Sequence, residues 1–181
     1  TDKVIERLNR MGCKYTAYPS PAGFDLSKEE DVTLLIKQLN VAANAMCHAG
    51  ICLTYHNHAR EFVPHGGETV LHRIYAETDP IALQAEIDTY WLQLGGGNII
   101  DWCRRLKGRL PLLHMKDVAV RENNTPTMFE IGYGNLDFKS IIHEAEAAGC
   151  QWYIVEQDIC PGDPFESLSM SFDYISEHLV S

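Results

Sequence analysis

The sequence predicts an α/β fold built on a parallel sheet, and two observations carry that prediction. Apolar runs alternate with amphipathic stretches along all 181 residues, the rhythm of βα units joined by right-handed crossovers. Four of the runs, ICLTYHNH (51–58), LQAEIDTYW (83–91), LPLLHMKD (110–117) and QWYIVEQD (151–158), carry His, Asp or Glu at or near their ends. Polar residues at the ends of neighbouring parallel strands converge at the C-terminal edge of the sheet, where α/β enzymes place their active sites. An enzyme is therefore expected rather than a scaffold.

The elements follow in order. Residues 2–11 carry apolar positions at helical spacing, Gly12 stops that helix, and CKYTAYPSP reads as a short strand closing at Pro19. Ser27 with Glu30 three residues later reads as a helix start, and the helix runs through Met46 to a stop at Gly50. Strand 51–58 comes next. A Gly66-Gly67 turn and the helical TVLHRIYAET lead into strand 83–91, a Gly95-Gly96-Gly97 loop, helix 98–107 and strand 110–117. A polar loop (118–135), helix 137–148, strand 151–157 and an amphipathic helix from Asp163 to Leu179 complete the chain. The rhythm runs unbroken through residues 1–181, so one domain is expected.

Composition bounds the partners. With 25 acidic against 15 basic residues the net charge is −10, which repels a nucleic-acid backbone. No apolar stretch approaches the ~20 residues needed to cross a bilayer, and the start, TDKVIERLNR, has neither an initiator Met nor a signal-peptide core, as in a fragment or a processed product. The six cysteines (Cys13, Cys47, Cys52, Cys103, Cys150 and Cys160) show no C-x-x-C spacing and fit small core hydrophobes better than disulfides or zinc ligands. A reducing, cytoplasmic setting follows.

The runs YHNH (55–58), DTYW (88–91), LLHMKD (112–117), EIGYGNLDF (130–138) and WYIVEQD (152–158) resemble the sugar phosphate isomerase/epimerase family of xylose isomerase-like TIM barrels. A more distant resemblance reaches the inosose dehydratases and the endonuclease IV class. The resemblance implies an incomplete (β/α)8 barrel corresponding to strands four through eight, since the chain falls below the ~200 to 250 residues of a full barrel. A sheet without strands one to three has open edges, so a homo-oligomer or a missing N-terminal barrel segment is expected to cover them.

The same resemblance implies a divalent metal on Asp88, His114 and Glu156, at the ends of three apolar runs. Singly, each reads better as a satisfied polar group at a strand end; the three together read as a metal site. A mixed carboxylate and imidazole set suits Mn²⁺ or Mg²⁺, with Co²⁺ or Zn²⁺ as alternatives. The wider family carries a fourth ligand, a Glu that is also the base, where this chain has Thr54. His56 and His58 are the candidates to replace it: His56 as the metal ligand, His58 as a general base or as a hydrogen-bonding partner of backbone or substrate. Glu61 is a replacement carboxylate or a solvated loop residue.

Lys116 is expected to stabilise a developing oxyanion, or else to pair with Asp117 or Asp158. Tyr90 and Trp91 form an aromatic wall for a sugar ring, or core packing. Glu130, with Gly132 and Gly134, resembles the family's substrate-covering turn. The implied chemistry is proton transfer next to a carbonyl on a sugar or keto-polyol, with Glu156 as one acid/base and His56 or His58 on the other side. Epimer, aldose–ketose isomer and dehydration product are all reachable from one scaffold. A zinc phosphodiesterase would need more His and Asp ligands and a basic groove, which this acidic chain lacks. A catalytically silent fragment or binding module is the remaining alternative.

Overall fold

Helix α1 (Asp2–Met11) forms where the sequence spacing places it, and Gly12 ends it in the left-handed conformation at φ 68°, a backbone state that glycine adopts without a Cβ penalty. The computed structural model describes residues 1–180, and these divide into two compact units, Thr1–Glu86 and Ile87 onward.

In the first unit, β1 (Tyr15–Tyr18), β2 (Cys52–His56) and β5 (Leu83–Asp88, whose last two residues fall in the second unit) lie side by side in parallel. Helix α2 (Glu29–His48) joins β1 to β2. Between β2 and β5 come a 3-10 turn (Ala59–Phe62), a tight hairpin of β3 (Pro64–His65) and β4 (Glu68–Thr69), and α3 (Val70–Glu77), capped by the Thr69 hydroxyl. Register sets Leu53 opposite Leu83 and Tyr55 opposite Ala85. All four are buried with Val32, Leu35, Leu39 and Ile74 from the helices. The intervening residues Thr54, His56 and Glu86 point to the other face, because side chains alternate along a strand.

In the second unit, β6 (Leu112–Met115) and β9 (Trp152–Val155) pair in parallel. Helices α4 (Thr89–Leu94), α5 (Ile99–Arg105), α6 (Phe138–Ala148) and α7 (Pro164–His178) accompany them. Asn98, Asp137 and Asp163 cap α5, α6 and α7 with their side chains, satisfying backbone donors that a helix start leaves free. Arg104 on α5 makes a two-pronged ion pair with Glu144 on α6.

The predicted parallel βα alternation is present, and several boundaries differ. Ser27 does not cap α2: its hydroxyl donates to Asp25 at 2.6 Å, and Lys28 stands at the cap without a side-chain bond. The strand expected over 51–58 ends at His56, because Asn57 and His58 lead into the 3-10 turn. The strand expected over 83–91 ends at Asp88, whose carboxylate accepts the Trp91 N–H at 2.9 Å and starts α4. Strand 110–117 narrows to Leu112–Met115, and strand 151–157 to Trp152–Val155. The expected polar loop over 118–135 contains an antiparallel hairpin, β7 (Asp117–Val120) with β8 (Pro126–Phe129). Its turn needs a left-handed residue, supplied by Asn124 at φ 63°.

The six cysteines form no disulfide among the described residues. Only Cys103 is fully buried and Cys47 is exposed. No helix of the described residues is long and apolar enough to cross a membrane.

Candidate functional site

In the second unit the ends of β5, β6 and β9 bring together Asp88, His114 and Glu156. Each offers a ligand atom within 4.8 Å of the others. Asp88 is fully buried, His114 and Glu156 partly so. His114 Nδ1 lies 2.6 Å from Glu156 Oε2 and 4.0 Å from Asp88 Oδ2. The His114 hydrogen bond, reinforced by Lys116, outweighs burial and holds the Glu156 carboxyl well below the usual carboxylate range. Two carboxylates and an imidazole at this spacing fit a borderline-to-hard divalent ion and offer no thiolate to a soft one.

Lys116 follows β6 and is 1% exposed. Its ammonium sits 3.2 Å from Asp88, 3.1 Å from Glu156 and 3.0 Å from Asp158, with the Trp91 ring centroid 5.6 Å away. Burial pushes the ammonium pKa down, but Asp88, then Asp158 and Glu156, raise it above lysine's ordinary value. Lys116 is thus a fixed cation held among three carboxylates.

Asp117, its neighbour, plays a different part. Its fully buried carboxylate accepts four backbone N–H groups, from Val118, Gly132, Gly134 and Leu136, at 2.8 to 3.2 Å. The Lys116–Asp117 pairing considered from sequence is therefore replaced by Lys116–Asp158. A Cβ on Gly134 would stand 2.2 Å from Asp117 Oδ1, and one on Gly132 would stand 2.4 Å from the Tyr174 ring. The two glycines let the 130–136 segment wrap closely around this carboxylate and α7.

Tyr90 and Trp91 belong to α4 rather than to a strand. They meet edge to face at 4.8 Å, and Tyr90 packs with Val118 and Met128. Tyr90 and Glu130 also line one cavity of about 140 Å³, with Arg121, Met128 and Ile159. Glu130 accepts the Ser167 hydroxyl at 2.7 Å and is tied to α7. Burial raises its pKa, but the bonds from Ser167 and Gln157 prevail and lower it.

In the first unit His56 closes β2, 6% exposed, with its ring stacked on His58 at 4.9 Å. Glu61 is fully buried rather than solvated. It accepts the His58 backbone N–H at 2.9 Å and the Tyr55 hydroxyl at 3.0 Å, and burial raises its pKa. Thr54, fully buried, donates to Glu86 at 2.5 Å.

Sequence reasoning passed over Glu86, Thr89 and the loop-holding role of Asp117. The Thr89 hydroxyl bonds the carbonyls of His114 and Lys116 and accepts the Lys116 N–H, tying the end of β5 to the end of β6. The signal for Glu86 was available in the alternation Gln84, Glu86, Asp88 on one face of β5. No local pattern marks Thr89 or Asp117.

Parallel βα units with a carboxylate–imidazole cluster at the strand ends define an α/β protein of the barrel type with a candidate metal centre. More particularly, the family model described as xylose isomerase-like TIM barrel matches residues 1–170, and the chain belongs to that family. It is 29% identical over 166 residues to an inosose dehydratase of Geobacillus thermodenitrificans, covering 82% of this chain and 55% of that protein. To an inosose dehydratase of Lactiplantibacillus plantarum it is 26% identical over 161 residues, covering 80% and 53%. A sugar phosphate isomerase/epimerase from Parabacteroides distasonis superposes with a TM-score of 0.81 at 24% identity, covering 98% of this chain and 62% of that one. The chain thus spans about half the length of the curated relatives it matches. The TM-score agrees with the incomplete barrel expected from the sequence.

Proposed function

We propose that this chain carries the catalytic half of a divalent-metal-dependent isomerase or epimerase that moves a proton next to a carbonyl of a sugar or keto-polyol. The observation that supports this reading most is the Asp88, His114 and Glu156 cluster, three ligand-type side chains from three strand ends within 4.8 Å of one another. These three residues would hold the ion, with Mn²⁺ or Mg²⁺ preferred over Co²⁺ or Zn²⁺. A bound divalent ion supplies Lewis acidity to a carbonyl and its neighbouring hydroxyl.

The side chains provide the rest. Glu156, kept ionised by His114 and Lys116, takes the proton at its carboxylate. Lys116, a permanent cation among three carboxylates, offers its ammonium to the oxygen on which negative charge develops. Tyr90 and Trp91 exclude water and face the substrate ring, and Glu130 accepts substrate hydroxyls or positions the segment that does. Residues 1–181 act as one barrel-type domain in this reading.

A second reading, an inosose dehydratase-like lyase, is favoured by the names of the two curated relatives. It uses the same first proton removal and then expels a β-hydroxyl. The test is metal content of the purified chain and of Asp88→Ala/Glu156→Ala, followed by proton exchange in D₂O with ketoses and an inosose. Near-stoichiometric metal lost in the double variant, with deuterium entering beside the carbonyl, supports the proposal. Deuterium entry with loss of a hydroxyl selects the lyase. A chain that takes up no supplied metal refutes both.

A further inference from the structure

The hairpin of β7 and β8 carries an arginine that the proposed chemistry does not use. Arg121 follows β7 directly, and the turn fixes its backbone: its N–H donates to the Thr125 carbonyl at 3.0 Å, and its carbonyl accepts the Asn124 N–H at 2.8 Å. The Arg121 guanidinium has no hydrogen bond or ion pair among the described residues. The other arginines of this unit are engaged or buried: Arg104 pairs with Glu144 at 2.6 Å, Arg105 lies over the Trp102 ring at 5.3 Å, and Arg109 is buried.

Arg121 lines the cavity of about 140 Å³ to which Tyr90, Glu130 and Ile159 also contribute. Two links join that cavity to the Asp88, His114 and Glu156 cluster within the same unit. Tyr90 lies two residues after Asp88 and meets Trp91 edge to face, and the Trp91 ring centroid is 5.6 Å from the Lys116 ammonium. Gln157, next to Glu156, donates to Glu130 at 3.4 Å and to the Ile159 carbonyl at 3.2 Å. The volume suits one substituent rather than a whole sugar, since sites for complete small ligands start near ~300 Å³. A guanidinium presents a planar fork that matches a carboxylate with two parallel hydrogen bonds. Glu130, in the same wall and engaged at Oε1 by Ser167 and Gln157, repels a doubly charged group more than a singly charged one. In a chain of net charge −10, a cation without an acidic partner is the local feature that attracts an anionic group.

We infer that Arg121 binds a carboxylate carried by the substrate, so that the site takes a keto sugar acid in preference to a neutral sugar. This inference rests on the proton-transfer reading and narrows its substrate class. Arg121 contributes to binding and specificity and takes no part in moving the proton.

Isothermal titration calorimetry of the full, Mn²⁺-supplied chain compares ketohexoses with the same skeletons carrying a carboxylate or a phosphate at the terminal carbon: fructose, fructuronate and fructose 6-phosphate, and the tagatose series alike. One of the two acids is expected to bind about 10-fold more tightly than its neutral ketose, the low end for a charge-assisted pair because Arg121 remains in contact with water. Arg121→Ala removes that preference at an unchanged melting temperature, and Arg121→Lys keeps part of it, since an ammonium has the charge without the fork. Lys107→Ala, which removes an exposed cation elsewhere in the unit, keeps all of it. A neutral ketose that binds with no preference for its acid, or a preference that survives Arg121→Ala, overturns the Arg121 assignment alone. A 6-phosphate bound more tightly than the acid overturns the carboxylate. Failure of the metal-loaded wild type to bind any of these sugars overturns the functional reading and this inference with it.

Discussion

Replacing Asp117 with Ala removes the acceptor of four backbone N–H groups, those of Val118, Gly132, Gly134 and Leu136. Hydrogen bonds to a charged partner contribute about 1.5 to 3 kcal/mol each, and a buried donor left unmade costs about 1 to 3 kcal/mol. The four are not additive, since all end on one side chain and three of the donors lie on a part-buried segment that water can reach. The expected loss is therefore roughly 3 to 5 kcal/mol, well below the simple sum. For a protein of this size that lowers the melting temperature by roughly 6 to 20 °C. Asp117→Asn keeps one carbonyl acceptor and turns a donor toward the remaining N–H groups, so it falls between wild type and Asp117→Ala. Urea unfolding followed by tryptophan fluorescence and by far-UV circular dichroism reads the difference, with an unchanged slope showing that the unfolded state is not altered. A value for Asp117→Ala within about 0.5 kcal/mol of wild type would mean that the 130–136 segment is held by something other than this carboxylate.

Gly134→Ala drives a methyl group to 2.2 Å from the same carboxylate and 2.8 Å from the Val118 carbonyl. It should destabilise by about 1 to 3 kcal/mol, and the effect should shrink in the Asp117→Ala background. Thr89→Val keeps the shape but leaves the Lys116 N–H without its hydroxyl acceptor. A loss of about 1 to 3 kcal/mol in the urea titration is expected, and no loss would show that the β5–β6 tie is dispensable. Glu61 titrates above its ordinary value when folded because of burial. As pH rises, the unfolded chain loses this proton first, so the Glu61 contribution is present in acid and is lost as pH climbs through the raised pKa. Relative to Glu61→Gln, wild-type stability should therefore decline as pH rises from the ordinary carboxylate range through the raised folded pKa, and parallel profiles would refute the assignment. Glu156, whose folded pKa is depressed, has the opposite sign: its contribution is present above the ordinary carboxylate pKa and is lost as pH falls through the depressed one. Glu156→Gln should flatten the acid limb of the stability profile measured without added metal.

The candidate ligands could be read early because each sits where an apolar run meets polar residues, and Asp88, His114 and Glu156 do come together. The segments following them were harder to read. Thr89–Leu94 continues an apolar run that suits a strand or a helix equally. The Asp88 cap decided for helix by satisfying the Trp91 N–H, and this moved Tyr90 and Trp91 off the strand. The hairpin inside 117–129 was legible in principle, since V-A-V and P-T-M-F flank an Asn-rich turn. Its polar turn outweighed these short flanks and read as a continuous loop.

Local sequence set the order of βα units, the helix starts at Thr69, Asn98, Asp137 and Asp163, whose side chains are the caps in the structure, and the three strand-end ligand candidates, while the cap expected at Ser27 did not form. These are local properties, set by periods of 2 and 3.6 residues and by single capping side chains. Tertiary structure alone decided that Lys116 faces Asp158 rather than Asp117, that Asp117 gathers backbone from as far as Leu136, and that Thr54 meets Glu86. Those partners are 19 to 42 residues apart in the chain. Pairing over such distances is set by strand register and by the need to satisfy buried polar groups, neither of which leaves a periodic trace in a single sequence.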